Sequence, residues 1–553
     1  MILNGSEILV NVLIEQGVDT VFGYPGGAVL NIYDALYKYS DKIKHYMTAH
    51  EQGAAHAADG YARSTGKTGV VIATSGPGAT NLVTGIATAY MDSVPMVAIT
   101  GNVPSALIGC DSFQEVYIAG ITMPITKHNF VVRKVDDLAD TIRDAFRIAS
   151  SGRPGPVLVD IPKDITADKT TYVPAPAPVK KEMPENVIGD IEEIAELINR
   201  SERPFVYFGG GVRLSGASEE LRELLVTADI PAAYTLMAAG ALKYGEKQNL
   251  GLIGMHGCYS ANCAANRADV MIAIGTRFSD RVALNTNKFG HNAKIVHIDI
   301  DSVEINKNIV ADYSVIGDVK AVLKELMQYI KPMERTEWFE QIEKWKMDDY
   351  HPENCDTALR PHQVIETACS VAGEDAIFVT DVGQHQMWAA QYLHHVKPKS
   401  FLTSGGLGTM GYGYGAAIGA KIANPDAPVV HFTSDGSLHM NMNELCTAVS
   451  YNVPVITVIL NNAVLGMVRQ WQGVFYGRRF SSSEPERITD YVKVAEAFGA
   501  VGFRCTTPAE FEAAMKKAMT VGGPVWIECV IDREEKVLPM IPSGGTVHDT
   551  MFN

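Results

Sequence analysis

Short β-branched apolar runs alternate with amphipathic, helix-compatible stretches along most of the chain. Up to residue 165 the runs are Thr20–Phe22, Gly69–Ala73, Met96–Thr100 and Val157–Asp160. Strands alternating with helices in this way predict a parallel sheet with helices on its faces. The Pro-rich stretch Tyr172–Pro184, YVPAPAPVKKEMP, reads as an extended linker. A second α/β block spans about 188–330, with strands expected at Phe205–Phe208, Val270–Ile274 and Lys294–Ile300. A polar connector follows over 331–359, then a third α/β block over 360–535. The expected architecture is three doubly wound parallel-sheet α/β domains, at 1–170, 185–335 and 360–540.

The first and third blocks share an internal repeat. Sliding the chain by 359 residues lays Val70–Asn102 on Val429–Asn461 without a gap, with nine identities in 33 positions. Thr74/Thr433, Ser75/Ser434, Pro95/Pro454 and Asn102/Asn461 are among them. Two copies of one fold are expected. They differ where chemistry would differ: Asp435 of the third block faces Gly76 of the first, so only the third can hold a metal through that carboxylate.

The sharpest local signal runs from Thr433 to Asn462, TSDGSLHMNMNELCTAVSYNVPVITVILNN. An Asp-Gly turn follows the apolar run Pro428–Thr433, and Asn-Asn follows the run Val453–Leu460. If these are neighbouring parallel strands, Asp435 and Asn462 lie at carboxyl ends, where open α/β sheets bind ligands. A carboxylate and an amide oxygen suit Mg²⁺, a hard cation that often bridges to substrate phosphates. Gly436 admits a phosphate close to the backbone, and the Ser437 amide can donate to it. This unit, with 24 residues between Gly436 and Asn461, resembles the thiamine-diphosphate fingerprint of decarboxylase and carboligase enzymes.

Composition narrows the class. The chain has 553 residues, 46% apolar and 20% charged, with net charge −16, which argues against nucleic-acid binding. Eight scattered cysteines without a C-x-x-C pair suggest a reduced, cytoplasmic chain. The N-terminus lacks the basic region of a signal peptide, and no apolar run is long enough for a membrane span.

A second chemical signal is Ala49-His50-Glu51-Gln52-Gly53, which follows the strand-like Lys44–Met47 and opens a helix rich in small residues. Thiamine chemistry needs one carboxylic acid hydrogen-bonded to the aminopyrimidine, with position and pKa both suited to the task. Further motifs extend the match: Tyr24-Pro25-Gly26-Gly27, Phe113-Gln114-Glu115, Lys127-His128, Gly152-Arg153-Pro154, Gly383-Gln384-His385-Gln386, Gly408-Thr409-Met410-Gly411 and Gly466-Met467-Val468-Arg469-Gln470-Trp471-Gln472. Together these resemble the catalytic large subunit of the acetolactate synthase family, in its biosynthetic FAD-containing branch. The middle block carries that distinction through Gly209-Gly210-Gly211, Gly254-Met255-His256-Gly257, Gly275-Thr276-Arg277, His297-Ile298-Asp299 and Gly317-Asp318-Val319.

The resemblance implies decarboxylation of pyruvate on thiamine diphosphate and transfer of the hydroxyethyl unit to pyruvate or 2-ketobutyrate. It implies Glu51 as the proton-handling acid, Gly27 at the reacting centre, and Gln114 and Lys127 beside the substrate's approach. Met410 would bend the cofactor, and Trp471 would favour the larger acceptor. Gln384, His385, Gly408, Gly436, Ser437 and Met467 would complete the thiamine site, with Mg²⁺ on Asp435, Asn462 and the Val464 carbonyl. Arg153, Gly210, His256, Gly257, Gly275, Arg277, Asp299 and Asp318 would line the FAD site. A homodimer or homotetramer and a small regulatory subunit are implied as partners, because no separate stretch remains for an amino-acid-sensing domain. Pyruvate oxidase, a 2-keto acid decarboxylase and the catabolic synthase remain as alternatives within thiamine chemistry. Many family members read Gly-Asp-Gly where this chain has Ser434-Asp435-Gly436; a small local adjustment is expected.

Overall fold

A computed structural model describes residues 1–176, 187–394 and 397–553. Much of the expected Pro-rich linker lies outside the described residues. The chain forms three six-stranded parallel sheets, each flanked by helices, and a small antiparallel pair that joins Ile2–Asn4 to Lys169–Thr171.

The duplication extends through the whole topology. Across the first sheet the strands run Lys44–Met47, Thr20–Tyr24, Gly69–Ala73, Met96–Asn102, Pro156–Pro162, His128–Val131. Across the third they run Phe401–Leu402, Ile377–Thr380, Val429–Ser434, Val455–Asn461, Val525–Val530, Val501–Cys505. The two orders correspond strand for strand. Register agrees as well: Thr100 pairs with Asp160, and Ile459 pairs with Glu528. Each acid then accepts from the asparagine two positions beyond its partner, Asn102 to Asp160 at 2.6 Å and Asn461 to Glu528 at 2.8 Å.

The two copies pack on each other through equivalent helices, Glu51–Thr65 and Tyr412–Ala423. Glycine makes this crossing possible. A Cβ on Gly60 would lie 2.1 Å from the Ala416 carbonyl oxygen, and one on Gly419 would lie 1.9 Å from that of Ala57. A shift of 359 turns one contact into the other, the reciprocity of a two-fold axis. Buried Arg63 locks the junction, donating to Asp59, to Asp92 at 2.9 Å and to the Thr403 carbonyl at 3.0 Å.

The middle sheet is ordered Asn249–Leu252, Ala232–Tyr234, Pro204–Phe208, Val270–Ile274, Lys294–Asp299, Tyr313–Ile316. This is the 3-2-1-4-5-6 order of dinucleotide-binding domains, whose crevice opens where the order reverses. The stretch 331–359 is more than a polar connector. It contains the helix Thr336–Lys346, which buries Trp338, Phe339 and Ile342 against the middle domain. Those residues recur at helical spacing, and the surrounding Glu and Lys face water.

Candidate cofactor and active site

The strands Val429–Ser434 and Val455–Asn461 are parallel neighbours, so their carboxyl ends bring Asp435 and Asn462 to one crevice. Asp435 opens a short helix, Asp435–Asn441. Ser434 precedes it in extended backbone (φ −127°), and its Oγ accepts from the Ser437 amide at 3.4 Å. Extended backbone admits any residue, so serine in place of the family's glycine strains nothing here. Asp435 is 2% exposed and its Oδ1 has no partner. Burial pushes its carboxyl from 3.8 up to about 6. An anion held unpaired in low dielectric is an invitation to a cation.

Asn462 and Val464 are buried beside it. Ala463 between them adopts a left-handed φ of 57°, a strained non-glycine conformation that turns the chain sharply. The Val464 amide approaches Asn462 Oδ1 at 3.4 Å. Among the described residues no cluster of three or more His, Cys, Asp and Glu could hold a metal. One carboxylate with amide and carbonyl oxygens fits Mg²⁺, which keeps waters and phosphate oxygens in its shell.

A second orphan lies close by. His385 is 1% exposed, its Nε2 has no partner, and burial lowers its pKa to about 4, so the ring is neutral at physiological pH. With the ring's proton on Nε2, that nitrogen would donate to a phosphate oxygen. Gly383 beside it has φ 147°, and a Cβ there would meet the His385 ring at 3.1 Å. Gln384 differs from expectation: its side chain is committed to Asn462, Gln470 and the Glu535 carbonyl, which leaves only its backbone for a ligand. The Ser437 hydroxyl donates to the Val382 carbonyl at 2.8 Å. A Cβ on Gly436 would lie 3.7 Å from the Met410 methyl, which places that half-buried thioether over the same turn. Gly408 sits at φ 71° in the loop that leads to it.

Glu51 begins its helix at the edge of the first sheet and is 9% exposed. Its Oε2 accepts from Asn81 Nδ2 at 2.9 Å. A Cβ on Gly78 would stand 3.2 Å from its Oε1. Buried Glu444 of the third domain accepts from the Ala49 and His50 amides at 3.1 and 3.0 Å, fixing the approach to Glu51. Burial pushes the Glu444 carboxyl up. Asn81 and Glu444 escaped the sequence reading, because neither stands near Glu51 along the chain.

Gly27 has nothing within 4 Å of where a Cβ would stand. Gln114 holds a left-handed φ of 60° and packs its Cα 2.9 Å from a Gly76 Cβ position. Lys127 does not reach toward these groups. Its ammonium is bound by the Ile148 and Ser151 carbonyls at the end of the Val135–Ser150 helix, and burial lowers its pKa.

A cavity of about 2870 Å³ opens at the reversal point of the middle sheet and runs to the third domain. Arg153, Gly210, His256, Gly275, Arg277, Asp299 and Asp318 line it, and so do Gly408, Met467 and Trp471. Trp471 meets Phe475 edge-on at 5.3 Å. Arg153 bridges to Glu304 at 2.7 Å and to Ser93 of the first domain at 2.9 Å. Burial pushes the Asp299 carboxyl to about 6. Three of the expected residues make other contacts as well. Gly275, on the cavity wall, also packs against Gly211, whose Cα is 2.7 Å from its Cβ position. Gly257 closes a turn on Ile253 and is absent from the cavity wall. Asp318 caps the Val319–Leu326 helix through the Lys320 and Ala321 amides. The cavity and its donors fit a dinucleotide such as FAD.

Comparison with known proteins defines the class first. Residues 3–121 match the description "Thiamine pyrophosphate enzyme, N-terminal TPP binding domain". Residues 191–326 match the central domain of the same enzymes, and residues 381–529 match their C-terminal TPP binding domain. The molecule is thus a thiamine pyrophosphate enzyme of three α/β domains. Within that class the chain is 47% identical to an acetolactate synthase of Mycobacterium bovis, covering 98% of this chain and 90% of that protein. It is 44% identical to the acetolactate synthase isozyme 3 large subunit of Escherichia coli, over 98% of this chain and 97% of that one. The acetolactate synthase large subunit of Buchnera aphidicola is also 44% identical, with 99% and 98% covered. The chain belongs to the acetolactate synthase family. Among the described residues no helix is long and apolar enough to cross a membrane.

Proposed function

We infer that the chain is the catalytic subunit of a biosynthetic acetolactate synthase. It decarboxylates pyruvate and joins the two-carbon unit to pyruvate or 2-ketobutyrate, the first common step toward the branched-chain amino acids. The carrying observation is the buried Asp435 carboxylate, its Oδ1 without a partner, at the strand end next to that of Asn462, in a chain this close to named acetolactate synthases. Thiamine diphosphate, when bound, supplies the electron sink that takes up the charge left by CO₂.

The residues divide the work. Asp435, Asn462 and the Val464 carbonyl would hold Mg²⁺, and His385 would bind the diphosphate. Met410 would pack against the cofactor. Glu51, oriented by Asn81, holds and moves the proton at the aminopyrimidine. Gly27 leaves room for the keto acid, which Gln114 and Trp471 flank. FAD would bind in the middle-domain cavity, and since the net reaction is redox-neutral its role would be structural. The family resemblance supports a site completed between two copies in a homodimer or homotetramer. A small regulatory subunit and a cytoplasmic location complete the reading.

Purified chain with pyruvate, Mg²⁺ and thiamine diphosphate should form acetolactate, read as acetoin after acidification. Activity should rise with added FAD. Flavin bleaching by pyruvate, without acetoin, would identify a pyruvate oxidase instead.

A further inference from the structure

The Asn462 side chain has two faces, an oxygen that can ligate a cation and an NH₂ that repels one. We propose that Gln384 and Gln470 are positioning residues that fix which face meets the metal. This proposal rests on the reading of Asn462 as a magnesium ligand.

A directed chain of amides reaches Asn462 from the backbone. It starts at Val537, whose N–H and C=O cannot exchange places. Val537 N donates to Gln470 Oε1 at 2.9 Å, and Gln470 Nε2 donates to the Val537 carbonyl at 3.1 Å. These two bonds settle the orientation of Gln470. Its Oε1 then accepts from Gln384 Nε2 at 3.0 Å, which also donates to the Glu535 carbonyl at 2.9 Å. Gln384 Oε1 must therefore face Asn462, and it accepts from Asn462 Nδ2 at 3.0 Å. With its NH₂ held there, Asn462 turns Oδ1 the other way, toward the turn that carries Val464. Reversing the Asn462 amide would set oxygen against oxygen at Gln384, and no member of the chain can rotate to relieve it.

Two further features belong to the same device. Gln384, Gln470 and Asn462 are 5%, 8% and 7% exposed, so water cannot readily substitute for a lost bond. Gly466 provides the space: a Cβ there would lie 1.9 Å from Gln384 Oε1 and 2.9 Å from Asn462 Nδ2. This assigns a purpose to Gly466 and Gln470 of the Gly466–Gln472 motif. It also explains why Gln384 spends its side chain on the protein.

The test is a cycle of full-length variants: parent, Gln384→Met, Asn462→Asp and the double variant. Mn²⁺ affinity is read by electron paramagnetic resonance at saturating thiamine diphosphate. Outer-shell partners of metal ligands are worth about 10–100-fold in affinity, and Gln384→Met should cost that much in the parent background. Aspartate presents an oxygen whichever way it turns. In the Asn462→Asp background, Gln384→Met should therefore cost less than about 3-fold. Equal losses in both backgrounds would reduce the amide chain to packing and overturn the proposal, as would no loss in the parent. If Asn462→Ala itself leaves Mn²⁺ affinity unchanged, the ligand reading fails and the proposal falls with it. Should Gln384→Met not fold, Gln470→Leu, two bonds away from the metal turn, must show the same background dependence.

Discussion

Replacing Asp435 by asparagine should make the metal-free chain more stable while abolishing its cofactor binding. The carboxyl is 2% exposed and titrates near 6 in the folded chain, against 3.8 when unperturbed. That displacement is worth about 3 kcal/mol. Because the folded pKa lies above the unfolded one, the associated stability is fully present below pH 3.8 and is lost as pH rises through 6. Above pH 6 the metal-free chain carries a buried charge whose desolvation outweighs the Gly436 amide and the nearby Arg487 and His439, and asparagine has no charge to lose. Calorimetry in chelator at pH 7.5 should show Asp435→Asn melting several degrees above the parent. The gap should close as pH falls toward 4. With Mg²⁺ and thiamine diphosphate at about 100 times Kd, the parent gains about 2.7 kcal/mol and the variant gains nothing, so the order narrows or reverses. A variant that melts below the parent in chelator at pH 7.5, or that still retains thiamine diphosphate in dialysis, would refute the reasoning.

Glu51→Gln preserves shape but removes the acid; turnover should fall about 10²–10⁴-fold with cofactor binding intact, and near-parental turnover would remove Glu51 from the mechanism. Mixing inactive Glu51→Gln with inactive Asp435→Ala chains should restore part of the activity, since a mixed dimer contains one intact site. Failure after verified subunit exchange would place each site within a single chain. Gly419→Ala puts a methyl 1.9 Å from the Ala57 carbonyl oxygen. It should destabilise the domain junction by at least about 1–3 kcal/mol, the usual range for overpacking, and an unchanged thermal midpoint would contradict the tight crossing.

The meeting of Asp435 and Asn462 at neighbouring strand ends was legible in the chain because local rules suffice there. Apolar runs specify strands, parallel order brings their carboxyl ends together, and the Asp-Gly and Asn-Asn pairs fall just beyond those ends. The duplication was legible because both copies keep one register over a full β-α-β unit. The middle domain's glycines were legible as a group, but their individual duties were not. Whether a glycine admits a ligand or another backbone, as Gly275 admits Gly211, depends on a strand distant in sequence. Lys127 shows the same limit, since a lysine near a motif can spend its charge on the carbonyls of a helix end. A helix hidden in the polar 331–359 stretch shows how a short amphipathic stripe fades among charged neighbours.

By itself the sequence determined the three α/β units, their duplication and the placement of Asp435 and Asn462 at neighbouring strand ends. Each of these rests on periodicity or on residues adjacent in the chain. Tertiary structure alone decided which groups orient the catalytic ones. Asn81 comes to Glu51 across 30 residues, Glu444 reaches the His50 amide across 394, and Val537 acts on Asn462 through two glutamines. Such contacts join segments distant in sequence, within a domain or across the junction between two, and no spacing along the chain encodes which atoms will meet there.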